Sequence, residues 1–289
     1  MNLLIENKAT KLFVNHYQNP GKETVILLHG GPGVPDGLGA IADCLTKDFN
    51  VILFHQRGTL HSPCLDRNYS IESYISDIDC IAAYFNLEKF HLFGHSWGGL
   101  YAQIYASKRA DNLLSVFLCS PAPGTGRHWR QAMFEIAAFN KSRCTFSEWV
   151  QMGMNSFLGF FGNDKAYQKL FTQMALNFNR GFTVSKLIPF EIRAVKSGPI
   201  IPTTIAILSY PLLNPMPHTP FKITVVYGDR DIIEASKKYV KERYPQANFF
   251  ILPHSGHLPW LHNEKVFFEL LKEHFKIANL HLVQHITLA

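Results

Sequence analysis

The sequence has 289 residues, a formal charge of +6, 47% hydrophobic residues and 17% charged ones, the balance of a globular enzyme and not of a disordered chain. The surplus of positive charge comes without a nucleic-acid motif, and its densest stretch, Lys237, Lys238, Lys241 and Arg243, falls in a helical pattern where a solvated face is expected. No run reaches the roughly 18 apolar residues of a membrane helix, the start Met1 to Glu6 lacks a signal pattern, and five scattered cysteines, an odd number, suit a reducing compartment; a cytoplasmic protein with no nucleic-acid or membrane partner is expected.

Leu3 to Tyr17 reads as a leading hairpin. From Glu23 onward, short β-branched runs alternate with helical patterns, the signature of a mostly parallel sheet flanked by helices, an α/β fold. Strands are expected at Thr24 to His29, Val51 to His55, Phe90 to Phe93 and Leu114 to Cys119, with helices at Gly39 to Lys47, Ile71 to Phe85 and Gly98 to Lys108 between them. Near-continuous apolar runs such as Val25 to Leu28 suit strands covered on both faces. The alternation stops between about Pro121 and Pro220, where helix-like, Phe-rich text leads into a proline-dense stretch. It resumes with a strand at Lys222 to Tyr227, a helix at Ala235 to Arg243, a strand at Phe249 to Leu252 and a helix at Glu264 to Lys276. The expected organisation is a core of residues 1–120 and 221–289 interrupted by a mainly helical cap of residues 121–220. Phe139, Phe157, Phe160, Phe161, Phe171, Phe178 and Phe182 are expected to form the small core of that cap, some also facing substrate.

Gly94-His95-Ser96-Trp97-Gly98 has the Gly-x-Ser-x-Gly pattern between an expected strand and an expected helix, the context of a nucleophile elbow. Small residues must flank the serine because the turn is too tight for side chains there. A serine hydroxyl attacks only when a base takes its proton, so a histidine is needed, and a carboxylate to fix that histidine's tautomer. Asp231, just past the strand Lys222 to Tyr227, is the expected acid, with Asp229 as competitor or turn cap. His257, in the loop after the last strand, is the expected base; His254 directly leaves the strand and His262 falls in a helical pattern. An oxyanion needs two fixed N–H donors. Trp97 supplies one, and the glycine-rich loop His29-Gly30-Gly31-Pro32-Gly33 the other, with Gly31 preferred over Gly30. No metal or organic cofactor is implied, because no ligand spacing of the zinc type is present.

These motifs resemble those of α/β-hydrolases and, within them, of the proline iminopeptidases. His29-Gly30-Gly31-Pro32-Gly33, Gln56-Arg57-Gly58 and Ser96-Trp97-Gly98 match that group's signatures in order, and the resemblance also places the acid at Asp231 and the base at His257. His55, Leu60, Pro35 and His95 depart from its pattern without touching Ser96, Asp231 or His257. The group recognises a free amino terminus through acidic residues near its cap; of the glutamates in the insertion, Glu135, Glu148 and Glu191, only Glu191 aligns. The resemblance implies an aminopeptidase releasing proline, or another N-terminal residue, from short peptides. The alternatives are an esterase, lactonase or small-amide hydrolase with an apolar pocket, and a ligand-binding member with little turnover.

Overall fold

The computed structural model describes residues 1–34, 37–59, 61–184 and 190–275. Two strands, β1 (Asn2–Asn7) and β2 (Thr10–Tyr17), pair antiparallel as the expected hairpin, and β2 continues antiparallel onto β4. The rest of the sheet is parallel: β3 (Thr24–Leu28), β4 (Asn50–Phe54), β5 (Phe90–His95), β6 (Leu113–Cys119), β7 (Lys222–Gly228) and β8 (Asn248–Leu252). Among the described residues the sheet has eight strands in the order β1-β2-β4-β3-β5-β6-β7-β8. The parallel strands end together at one edge, and the loops leaving that edge carry Gly30, Ser96, Asp231 and His257.

Helices α1 (Gly39–Leu45), α2 (Ile71–Tyr84) and α3 (Trp97–Lys108) follow β3, β4 and β5. Side chains alternate across a strand, so each central strand feeds two cores: Ile26 and Leu28 of β3 pack with Ile78 of α2 and Leu100 of α3, while Val25 and Leu27 pack with Ile41 of α1 and Phe267 across the other face. Burial on both faces is the reason these strands read as unbroken apolar runs.

Between β6 and β7 lie α4 (Arg127–Arg143), α5 (Phe146–Phe160), α6 (Asp164–Asn179) and α7 (Ile200–Ser209). The Phe-rich core expected of them forms only in part: Phe139 packs on Phe178 and Phe171 on Tyr167. Phe157, Phe160 and Phe161 are exposed, and Phe171 and Phe178 face a cavity beneath the helices. Tyr167, Val195 and Ile200, with Phe171 against them, pack on Val34, tying the segment to the loop after β3.

The chain closes with α8 (Lys238–Arg243), α9 (Pro259–His262) and α10 (Glu264–Phe275). The helix expected from Ala235 starts only at Lys238, and ahead of it the Glu234 and Ser236 N–H groups donate to Glu135 of α4. Arg243 is not on a solvated face: it is buried, and its guanidinium donates to Gln103 and to the Pro123 carbonyl. Pro35, Leu60 and Lys276, singled out in the sequence, lie outside the described residues.

Candidate active site

β5 runs into a tight turn at Ser96, whose φ of 54° and ψ of −117° are unusual for a side-chain-bearing residue. Such backbone costs on the order of 1–3 kcal/mol and persists only where its surroundings enforce it. Here the Ser96 N–H donates to the Cys119 carbonyl at 3.1 Å, and the Ser96 carbonyl accepts from Leu100 and Ala122. A Cβ on Gly98 would collide with the Leu28 carbonyl oxygen and one on Gly94 with that of Gly98, so both flanking positions admit only glycine.

The loop beyond β7 brings Asp231 and the loop beyond β8 brings His257 to this hydroxyl. His257 Nδ1 donates to Asp231 Oδ1 at 2.8 Å, and Nε2 lies 3.0 Å from Ser96 Oγ. Asp231 and His257 are buried, and Ser96 is partly exposed. Burial alone would push the Asp231 carboxyl up, but the neighbouring His257 imidazole, its hydrogen bond, and the Ser120 and Ile233 donors together hold it below the usual value. A hydroxyl, an imidazole and an ionised carboxylate in this order can pass the hydroxyl proton to the imidazole while the carboxylate stabilises the imidazolium.

The competitors have other partners. Asp229 accepts from the His254 and Ser255 N–H groups, capping the turn that carries His257. His254 is exposed. His262 accepts the Gly256 N–H on Nδ1 and donates from Nε2 to Asn179 of α6, both at 2.8 Å, and its ring stacks on Phe182. Burial, then proximity to His257, pushes its pKa down to about 4.

His95, a departure in the sequence, lies against the base. Its Nε2–H donates to the His257 carbonyl at 2.9 Å, and its ring meets Trp260 edge-on. Burial, and then the His257 charge, pushes its pKa down to about 3, so it stays neutral.

Opposite the base, the loop after β3 approaches Ser96 so closely that a Cβ on Gly30 would sit 3.3 Å from Ser96 Cβ and 2.8 Å from His95 Nδ1. Gly31 follows with φ 59°. Trp97 opens α3, where a backbone N–H has no intrahelical acceptor. Gln56 joins the two: its Nε2 donates to the His29 carbonyl at 2.8 Å, its Oε1 accepts from Trp97 Nε1 at 2.7 Å, and its backbone N–H donates to His29 Nε2. Arg57 anchors the adjoining loop through two buried hydrogen bonds to Asp77 at 2.8 and 2.6 Å.

Ser96 and His257 open onto a cavity of about 280 Å³ walled by Trp97, Trp129, Ile136, Phe171, Met174, Phe178, Ile200, Ile232 and Trp260. Among its described lining residues there is no carboxylate. Glu191, the expected amine contact, is exposed at the start of a short 3-10 turn, although the adjacent Phe190 reaches the cavity wall. Glu135 is taken up by Ser236 and the Glu234 and Ser236 amides, and Glu148 by the Thr145 capping box and Arg180.

Sequence reasoning missed the parts played by His95, His262 and Gln56. Each acts on a residue 6 to 162 positions away, and only Gln56 carried a signal, as part of a short motif.

The arrangement has counterparts among known proteins. A family model described as the alpha/beta hydrolase fold matches residues 23–263. The chain belongs to that family. It is similar to a proline iminopeptidase of Lactobacillus acidophilus, 33% identical over 146 residues, which cover 47% of this chain and 50% of that one; the chain thus spans about half the length of this relative. Among solved structures, a proline iminopeptidase of Mycobacterium smegmatis superimposes with a TM-score of 0.65 at 17% identity, covering 94% of this chain and 97% of its own. An esterase of Exiguobacterium antarcticum superimposes with a TM-score of 0.68 at 19% identity, covering 96% and 100%. The last two likenesses are of fold. No helix among the described residues is long and apolar enough to cross a membrane.

Proposed function

We propose that this α/β-hydrolase is a serine hydrolase that cleaves esters or amides of compact apolar acyl groups, with residues 121–220 forming a cap over the site. One observation carries the reading: the Ser96–His257–Asp231 relay faces a cavity of about 280 Å³ whose described walls are mainly aromatic and aliphatic, with Thr204 among them and no carboxylate. A cavity near the lower end of the usual range for small ligands suits a short acyl chain or a single ring.

In this mechanism Ser96 Oγ attacks the carbonyl carbon as its proton passes to His257 Nε2, and Asp231 stabilises the imidazolium. The N–H groups of Gly31 and Trp97 take the oxyanion, each donor lowering the barrier by about 3 kcal/mol. The imidazolium protonates the leaving alcohol or amine, and the same histidine then activates water to release the acid from Ser96.

A second reading is favoured by the 33% identity to an iminopeptidase: release of an N-terminal proline, which needs a negative group to meet the free imino group. A panel of p-nitrophenyl butyrate, L-prolyl p-nitroanilide and N-acetyl-L-prolyl p-nitroanilide separates the two. Turnover of the ester, with acetylation leaving or improving turnover of the anilide, is the expected result. Turnover of the free prolyl anilide alone establishes the second reading, and failure of a fluorophosphonate to label Ser96 overturns both.

A further inference from the structure

The outward face of α5 is apolar where a helix on the surface should be polar. Phe146, Val150, Met154, Phe157 and Phe161 recur at helical spacing and are 84%, 43%, 60%, 64% and 71% exposed. The opposite face is the one that packs: Met152 and Gly159 are buried, with the Tyr167 ring of α6 against Gly159. An apolar stripe of this size is rare on the solvent face of a monomer and marks an interaction surface.

Charge selects the partner. Residues 121–220 hold ten Lys and Arg against four Asp and Glu, a surplus of +6, and the remainder of the chain has 18 of each. The whole net charge therefore belongs to the segment that displays the stripe. Lys141 precedes α5, Lys165 and Lys169 follow it, and all three are exposed. The nearest acids are already occupied, Glu148 by Thr145 and Arg180, and Asp164 by Lys196 and Ser197. Pairing this face with itself would bring two +6 segments together, whereas an anionic lipid surface both accepts the phenyl rings and neutralises the lysines.

We propose that α5 docks flat on an anionic bilayer, its phenylalanines in the acyl–headgroup boundary and the flanking lysines among the phosphates. At 15 residues the helix is about 22 Å long, which suits lying in the interface and is too short to span it. This contrasts with the absence of a membrane partner expected from composition, because overall charge and hydropathy average over a stripe confined to one helix face.

The test is flotation of the full chain with phosphatidylglycerol-rich and with pure phosphatidylcholine vesicles. Binding to the anionic vesicles that weakens with salt is expected. The double substitution Phe157→Ser/Phe161→Ser should lower the partition coefficient by at least about tenfold while leaving the melting midpoint in place, because both rings are solvent-exposed. Lys141→Glu/Lys165→Glu should lower it further on anionic than on neutral vesicles. Absence of binding to anionic vesicles, equal binding by the double Phe variant, or a dimer in sedimentation equilibrium that this variant dissociates would each overturn the proposal.

Discussion

Replacing Gln56 by Leu tests whether the loop after β3 is held at Ser96 from below. The side chain makes two buried hydrogen bonds, to the His29 carbonyl and from Trp97 Nε1. Leucine keeps much of the volume but leaves that carbonyl and that indole N–H without partners, at about 1–3 kcal/mol for each buried orphan. The expected loss is roughly 2–6 kcal/mol, a large share of a typical folding stability of about 5–15 kcal/mol. A kinetic cost comes with it: Gln56 links Trp97 to the loop bearing Gly30 and Gly31, and a misplacement of about 1 Å at a reacting centre is worth about a hundredfold in rate. Urea unfolding gives the first quantity, and kcat/KM on the best ester of the panel, measured where the variant is fully folded, gives the second. Gln56→Glu sharpens the result, since a carboxylate can still accept from Trp97 but can only repel the His29 carbonyl. A Gln56→Leu protein with unchanged stability and kcat/KM would refute the bracing argument.

Ser96→Ala should abolish turnover and fluorophosphonate labelling while the melting midpoint stays near that of the parent. Asp231→Asn should lower kcat by about 10⁴-fold by favouring the wrong tautomer of His257, read from initial rates at saturating substrate. The acid limb of the kcat/KM profile should follow a single proton, because the two imidazoles beside the base, His95 and His262, remain neutral down to about pH 3 and 4; a limb steeper than one proton contradicts this. At the far edge of the sheet, His91 and His274 share the Ser115 hydroxyl, and burial above all holds both below the usual imidazole value. The unfolded chain then takes up protons that the fold does not, so stability is complete above about pH 6.5 and falls as the pH drops below it; denaturation midpoints from pH 8 to 5 that do not fall would rule this out.

The parallel sheet and its order of elements were legible because strands covered on both faces must be apolar throughout, as in Val25 to Leu28, and because α2 and α10 keep a 3.6-residue period, whereas α3, buried from Trp97 to Ala106, was placed by the elbow before it. The positions of Ser96, Asp231 and His257 were legible for a different reason: a strand-to-helix turn with room for no side chain but the serine's writes glycine into fixed places, and the two partners follow strands already identified. The four helices after β6 were not legible in this way. There the phenylalanines divide three ways, with Phe171 and Phe178 at the cavity, Phe182 on His262, and Phe157, Phe160 and Phe161 in solvent. A hydrophobic pattern reports that a face is apolar without saying what covers it. Arg243 shows the same limit for charge, being one basic residue among several in a helix yet buried on the Pro123 carbonyl.

The hydrogen bonds around His257 explain how the proposed base, carried on a loop, keeps its place. Asp229 ties the two residues at the start of that loop, His262 takes the Gly256 N–H from the side of α9, and His95 donates to the carbonyl of His257 itself. Three elements thus fix the backbone, and Asp231 fixes the ring. Two of the three braces are histidines that could have gained charge and repelled the imidazolium of the proposed mechanism; burial against Trp260 for one and Phe182 for the other keeps them neutral. His95 also occupies the turn position that immediately precedes Ser96, so a residue of the elbow is bonded directly to His257. A loop ordinarily pays for its mobility with poor aim; here the relay is aligned before substrate arrives, which is the condition under which a hydrogen bond of 3.0 Å between Ser96 and His257 can act in the transition state without first being assembled.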